Sequence, residues 1–376
     1  MKIAFVYDVI YPYVKGGVEK RVWELAVRLT HRGHEVHLFG MKFWDGEDIL
    51  IREGVFLHGV CPAQKLYAGG RRTIWQALYF SVRLVSPLLK ERFDIIDCQQ
   101  FPYFSCFSAK LVSNMKKIPL VITWHEVWDD YWYEYLGWTG LLGKVTEHLV
   151  ARLTLHSVAV SLTTKNNLKS LGCRGQITII PNGVDLQRIR SIVPSGELSH
   201  VIFVGRLIKE KHVELLVQAF GILSLEQPDL RLLIIGEGPE QGAIAKIIHE
   251  LFLKERISCR GFQDDHDHII ASMKSSQICV IPSTREGFGI TALEALACGL
   301  PVVTADHPAN AIRDLITAKN GFLTSLSSKD LADTIHHALR HHTDMKDACI
   351  ASAAPFDWDQ ITSDIEKYYR SVIDSQ

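Results

Sequence analysis

Residues 286–303 read EGFGITALEALACGLPVV, and the rest of the chain is read outward from them. Residues 290–298 have helical spacing, Gly299 stops the helix, and Pro301 bars its continuation. Just ahead lies ICVIP (278–282), a short apolar run that predicts a buried strand over 278–281. Strand, glycine-bearing loop and helix in that order form the repeating unit of a doubly wound α/β sheet. The backbone N–H groups of Gly287, Phe288, Gly289 and Ile290 would open that helix without intrahelical partners, a setting that favours an anion. Two carboxylates flank the helix start, Glu286 in the loop and Glu294 one turn inside an otherwise apolar helix. Hydroxyl groups of a ligand would satisfy both without a counter-ion. Dipole complementarity is the other reading for Glu286, and a buried salt bridge for Glu294.

The same alternation fills the chain. In the first half, strands are predicted over 2–8, 35–39, 55–58, 95–98, 120–123, 157–160 and 178–180, with helices over 18–30 and 74–90. A loose polar stretch, 190–200, then separates two domains. Strands resume over 201–204, 231–235, 257–259, 278–281 and 301–304, with helices over 212–225, 240–253, 266–275, 290–298 and 329–341. A last helical pattern covers 358–373. The division is therefore 1–189, 190–357 and a closing helix 358–376. Two doubly wound domains would leave a cleft, with ligands at the carboxyl ends of the strands.

Several motifs fall at such strand ends. Gly16 and Gly17 stand between strand one and the first helix, as a phosphate contact or as a plain turn. In FVGRLIKEK (203–211), Arg206 and Lys211 flank a helix start, which repels cations unless an anion lies between them. Two solvated side chains are the alternative. IIGEGPEQG (234–242) has G-x-G-x-x-x-G spacing and no dinucleotide fingerprint, so Gly236 reads as part of a tight turn. His125 directly follows the strand in LVITWHE, as a structural or a functional residue. HHALRHH (336–342) and DDHDH (264–268) read as a solvated helix face and a helix start, without a metal.

Composition sets outer limits. The 376 residues are 47% hydrophobic and 22% charged, enough for two packed cores. A net charge of −1 offers no field for nucleic acid, so an anionic ligand must be held locally. The 8 cysteines show no C-x-x-C spacing, which points to a reducing, cytoplasmic compartment. No run of about 18 apolar residues predicts a membrane-spanning helix.

Taken in order, Gly16–Gly17, PLVITWHE, IIPNGVD, FVGRLIKEK, IIGEGPE, EGFGITALEALACGLPVV and the tail FDWDQITSDIEKYY resemble the retaining GT-B glycosyltransferases that use nucleotide-sugars, the group 1 glycosyl transferases. The resemblance spans nearly the whole chain. It implies two Rossmann-like domains, acceptor-side then donor-side, with the last helix crossing back to the first domain. It implies that Arg206 and Lys211 hold the donor diphosphate with Gly17, that Glu286 holds sugar hydroxyls, and that Glu294 holds the ribose. It places His125 near the sugar's anomeric side. It further implies a UDP-, GDP- or ADP-sugar donor, no metal, and a departing diphosphate that assists deprotonation of the acceptor. Where many relatives carry histidines, this chain has Gln99 and Gln100, so acceptor-side roles are not carried over. A non-catalytic sugar-nucleotide sensor, or an epimerase on the same scaffold, is the alternative.

The stretch 123–153 is individual to this chain, with Trp124, Trp128, Trp132 and Trp138 interleaved with tyrosines. Such rings stack on sugars, favour a membrane interface, or pack as core. The reading adopted makes Trp128 and Trp132 the acceptor site for a glycan or lipid-linked acceptor, with peripheral contact at the inner face of a membrane.

Overall fold

The computed structural model describes residues 1–68 and 71–375. It divides into two compact units: Met1–Asn182 with the tail from Trp358, and Gly183–Asp357.

The first unit contains β1 (Lys2–Val6), α1 (Gly17–His31), β2 (Glu35–Lys42), β3 (Ile49–Arg52), β4 (Val55–Pro62), β5 (Tyr67–Ala68), β6 (Arg71–Arg72), α2 (Ile74–Lys90), β7 (Ile95–Gln99) and α3 (Phe104–Lys116). It continues with β8 (Leu120–Trp124), α4 (Tyr131–Leu136), α5 (Gly140–Val150), β9 (His156–Ala159), α6 (Leu162–Ser170) and β10 (Gln176–Ile179). Its main sheet runs β10-β9-β8-β7-β1-β2-β4-β3, parallel except for β3, which pairs antiparallel with β4. The inner strands are buried on both faces, which is why β1 and β8 read as unbroken apolar runs.

The second unit contains α7 (Leu186–Ser191), β11 (Ser199–Val204), α8 (Val213–Glu226), β12 (Leu232–Ile235), α9 (Gln241–Glu250), β13 (Ile257–Arg260), α10 (His266–Lys274) and β14 (Ser276–Ile281). After these come α11 (Ile290–Ala297), β15 (Val302–Ala305), β16 (Gly321–Thr324) and α12 (Ser328–Ala353). Its six strands run β13-β12-β11-β14-β15-β16, all parallel. The chain ends in α13 (Trp358–Asp374), which belongs to the first unit.

The division falls at Asn182 and Gly183, ahead of the polar stretch at 190–200. The cause is α7, which docks on the second unit. Arg188 Nε and Nη2 donate to the two carboxylate oxygens of Asp267 at 2.8 Å each, and Leu186 N donates to Asp357. The tail is fixed by an amphipathic stripe. Trp358, Ile361, Ile365, Tyr369 and Val372 recur at helical spacing and are buried with α1 against one sheet face. Helices α2, α3, α5 and α6 cover the opposite face.

Candidate functional site

In the second unit the carboxyl ends of β11 and β14 are neighbours, and the loops that follow them carry the charged residues singled out above. The loop after β11 is tied to the one after β12, because Leu207 N donates to Glu237 O at 2.8 Å and Glu240 N donates to Leu207 O at 3.0 Å. That approach excludes a side chain at Gly236: a Cβ there would lie 1.9 Å from the Gly205 carbonyl oxygen. Gly236 thus serves backbone–backbone packing.

The turn Lys209–Lys211 docks onto the loop after β14. Thr284 N donates to Glu210 O at 2.9 Å, and His212 Nε2 and Thr284 Oγ1 share a hydrogen bond of 3.0 Å. The docking brings Lys211 onto Glu286 as an ion pair, with both side chains mostly buried. Glu286 is itself fixed from both sides, since its N–H donates to Ala309 O and its carbonyl accepts from Ala311 N. The anion that offsets Lys211 near a helix start is therefore this chain's own carboxylate. Arg206 is exposed, and its guanidinium has no carboxylate partner among the described residues.

Gly289 opens α11 at φ 91°, a left-handed conformation that glycine adopts without strain, and no side chain caps the helix. Phe288 is buried, its ring tilted against Phe356 with 6.0 Å between centroids. Glu294 is buried one turn inside α11, and its Oε1 meets His266 Nε2 at 2.8 Å. The DDHDH stretch is thus more than a helix start, since His266 is the hydrogen-bond partner of the buried carboxylate. A pocket of about 280 Å³, lined by Ile235, Arg260, Gln263 and His268, opens at the carboxyl ends of β12 and β13.

In the first unit His125 follows β8 and is held by Gln99 and Gln100. Its N–H donates to Gln100 Oε1 at 3.0 Å, and its Nε2 lies 2.8 Å from Gln99 Oε1. Gln99 Nε2 in turn donates to Asp97 at 3.0 Å, so its oxygen faces the imidazole. The network therefore assigns the proton to His125 Nε2 and leaves Nδ1 as an acceptor. Asp97 is buried and also accepts from Thr123 at 2.8 Å and from Tyr369 of α13. Burial, with the nearby Arg21 charge adding to it, pushes the His125 pKa well down, so the ring is neutral at pH 7.

Gly16 is the N-cap of α1 and Gly17 its first residue, but the Glu19 carboxylate folds back beside them. A Cβ on Gly16 would lie 2.4 Å from Glu19 Oε2. Burial raises the Glu19 pKa to about 7. The start of α1 thus already carries a carboxyl group.

The aromatic stretch is organised by a residue the sequence did not single out. Glu147 of α5 is fully buried and accepts from Tyr103 Oη at 2.7 Å, Trp128 N at 2.8 Å, Asp129 N at 2.7 Å and Trp132 Nε1 at 3.3 Å. Trp132 is a correction to the sequence reading. Its ring is core, packed so closely on Gly143 that a Cβ there would lie 2.3 Å from it. Trp128 is half-buried, stacked on Phe101 at 5.7 Å and edge-on to Tyr135 at 5.0 Å.

With this geometry in place, the chain can be compared with known proteins. Residues 187–354 match the family described as Glycosyl transferases group 1, and residues 15–188 match Glycosyltransferase Family 4. The chain belongs to the group 1 glycosyltransferases, of GT-B type. It is 27% identical over 340 residues to a GDP-mannose-dependent alpha-(1-6)-phosphatidylinositol dimannoside mannosyltransferase of Mycobacterium tuberculosis, covering 86% of this chain and 83% of that protein. It is 22% identical over 351 residues to the phosphatidylinositol N-acetylglucosaminyltransferase gpi3 subunit of Schizosaccharomyces pombe, covering 91% and 73%. Sucrose-phosphate synthase from Thermosynechococcus elongatus shares the fold, with a TM-score of 0.80 at 20% identity over 100% of both chains.

Among the described residues of this glycosyltransferase, one group of side chains is close enough to hold a metal ion: His37, His58 and Glu91. A cation is already there. The Lys2 ammonium pairs with Glu35 at 2.8 Å and with Glu91, His37 Nε2 meets Glu35 at 2.9 Å, and His37 Nδ1 meets His58 Nε2 at 2.7 Å. Burial lowers the pKa of both histidines, that of His58 to about 4. The cluster reads as a closed structural network near the start of β1. Among the described residues no helix is long and apolar enough to cross a membrane.

Proposed function

We propose that this glycosyltransferase transfers a hexose from a nucleoside-diphosphate sugar to a hydroxyl of a glycan or lipid-linked acceptor, with retention of configuration and without a metal. The observation that carries the proposal is the Lys211–Glu286 pair beside the uncapped start of α11, with Arg206 exposed on the adjoining loop. Two cations and a helix N-terminus suit a diphosphate, and a fixed carboxylate suits sugar hydroxyls. Buried Glu294 takes ribose hydroxyls in this reading, and the pocket beside β12 and β13 gives room for the base. His125, neutral and with Nε2–H committed to Gln99, offers Nδ1 to a sugar hydroxyl. The donor's anomeric C–O bond breaks as the acceptor oxygen bonds to the same carbon from the same face. The acceptor proton goes to the departing diphosphate. Preformed charge at Arg206 and Lys211 supplies most of the stabilisation.

Relatives whose names include GDP-mannose and phosphatidylinositol support a nucleotide-sugar donor and favour a lipid-linked acceptor. The test is a screen of UDP-, GDP- and ADP-sugars for slow donor hydrolysis, followed by nuclear magnetic resonance of the released sugar's anomer. Lys211→Ala and Arg206→Ala should each lower turnover by about 10²-fold or more. Tight binding of a nucleotide-sugar with no turnover would make the chain a sensor, and an inverted anomer would overturn retention.

A further inference from the structure

We propose that the outer layer of the first unit, formed by α2, α3, α5 and α6, is a docking face for an anionic lipid bilayer. The inference goes beyond the glycosyl-transfer reading and stands without it.

These four helices bury one side in the same core and turn the other outward. What they turn outward is unusually apolar. On α2, Trp75 is 75% exposed and Val82 73%, with Ile74 and Leu78 along the same side. On α3, Leu111 and Met115 stand one turn apart in the open. On α5, Leu142 is 73% exposed beside Leu141, Val145 and Leu149, and Trp138 just ahead of the helix is 87% exposed. A soluble surface tolerates scattered apolar residues, but repeated ones on neighbouring helices mark a contact. Exposed tryptophans favour the headgroup boundary of a bilayer.

Charge decides which contact. The four helices contain seven lysines and arginines and one carboxylate, Glu147, which is buried. Lys117, Arg152 and Arg174 extend the basic set, all three exposed. The opposite layer, α1 and α13, carries five lysines and arginines against six acids. In a chain of net charge −1 the positive side is therefore segregated onto the apolar layer. Among the acids beside this layer, Asp129 and Asp130 share Lys144 at 2.8 and 2.5 Å, which takes that lysine out of the unopposed set, Glu91 at the end of α2 pairs with Lys2, and Asp94 and Glu134 are exposed. Apolar side chains interleaved with the six remaining helix cations and with Lys117, Arg152 and Arg174 fit the interface of an anionic membrane. A neutral protein partner would leave those cations unmatched.

The test is co-sedimentation of the full chain with vesicles of phosphatidylcholine alone and of equal parts phosphatidylcholine and phosphatidylglycerol. Binding to the anionic vesicles should be stronger by about 10-fold or more and should weaken as salt is raised. Trp75→Ser with Trp138→Ser should lower the partition coefficient by about 10-fold, and so should Lys110→Glu with Lys169→Glu. Lys367→Glu on α13 should leave it unchanged. Circular dichroism and donor hydrolysis of each variant show that the fold persists, and the wild-type comparison of the two vesicles stands without any variant. Equal binding to both vesicles, or to neither, overturns the proposal. So does a wild-type dimer in sedimentation equilibrium that the tryptophan variant dissolves, since the face would then cover a second copy.

Discussion

Replacing Glu286 with Gln separates two roles that one carboxylate combines. Glu286 neutralises Lys211, so an incoming diphosphate must displace it as well as approach its negative charge. At ~6 Å and an effective dielectric constant of ~20–40, that repulsion amounts to about 1.4–2.8 kcal/mol, or roughly 10–100-fold in affinity. Glu286→Gln should therefore tighten binding of the free nucleoside diphosphate by about 10-fold or more. Turnover should move the opposite way and fall by about 10²-fold, because a neutral amide holds sugar hydroxyls less well. Lys211→Ala should lower both, and it also leaves a mostly buried carboxylate without its cation. Arg206→Ala, at an exposed position with no carboxylate partner among the described residues, should weaken nucleotide binding without changing the unfolding midpoint. Titration calorimetry with UDP, GDP and ADP, run beside hydrolysis assays, reads both quantities. Weaker nucleotide binding by Glu286→Gln would place the diphosphate away from Lys211 and refute the assignment.

Glu147→Ala strands four donors in the first unit's core and should cost about 3–5 kcal/mol in denaturant unfolding, with Glu147→Gln costing less. The His37–His58 pair should make the fold acid-sensitive. Unfolded histidine takes up a proton near 6.5, whereas burial holds His58 at about 4, so about 3 kcal/mol of stability is lost as pH falls between those values. His58→Gln should flatten that slope, and an unchanged pH dependence would show that other groups set it. Transfer activity should survive EDTA, and loss on chelation with recovery in Mg²⁺ or Mn²⁺ would overturn the metal-independent reading.

Periodicity made the sheets legible and left the helical coverage of the first unit incomplete. Apolar runs such as those of β1, β8 and β11 are buried on both faces, so local composition and tertiary role agree. Helix α3 has no clear signal in the sequence because its first turns, Phe104–Ala109, mix two serines, a cysteine and an alanine with two phenylalanines and show little amphipathic contrast. Several of those small residues face inward: Ser105 and Ser108 are buried, and Ser108 Oγ meets Ser81 Oγ of α2 at 2.8 Å. The edge strand β3 has no clear signal for a different reason, since both its faces are largely exposed and no apolar alternation marks it. Helix α5 lies inside the aromatic stretch 123–153, and its one acid, Glu147, is as fully buried as its Val150.

The positions of the site's charges could be read from the sequence, but their pairings could not. Lys211 and Glu286 are 75 residues apart, and His266 and Glu294 are 28 apart. Each partner sits on a different βα loop or helix start, and only a parallel sheet with β11 beside β14 brings the first pair together. A local reading therefore assigns each charge to a ligand or to solvent, because it cannot see a partner contributed by another loop. The same blindness affected Gln99 and Gln100, which looked like departures from a family pattern. They are the residues that orient His125, Gln99 through its side chain and Gln100 through the backbone N–H. Their neutral amides hold the imidazole without adding titrating groups beside a ring already kept neutral by burial and by Arg21. The orientation of the ring is therefore set by groups that do not titrate.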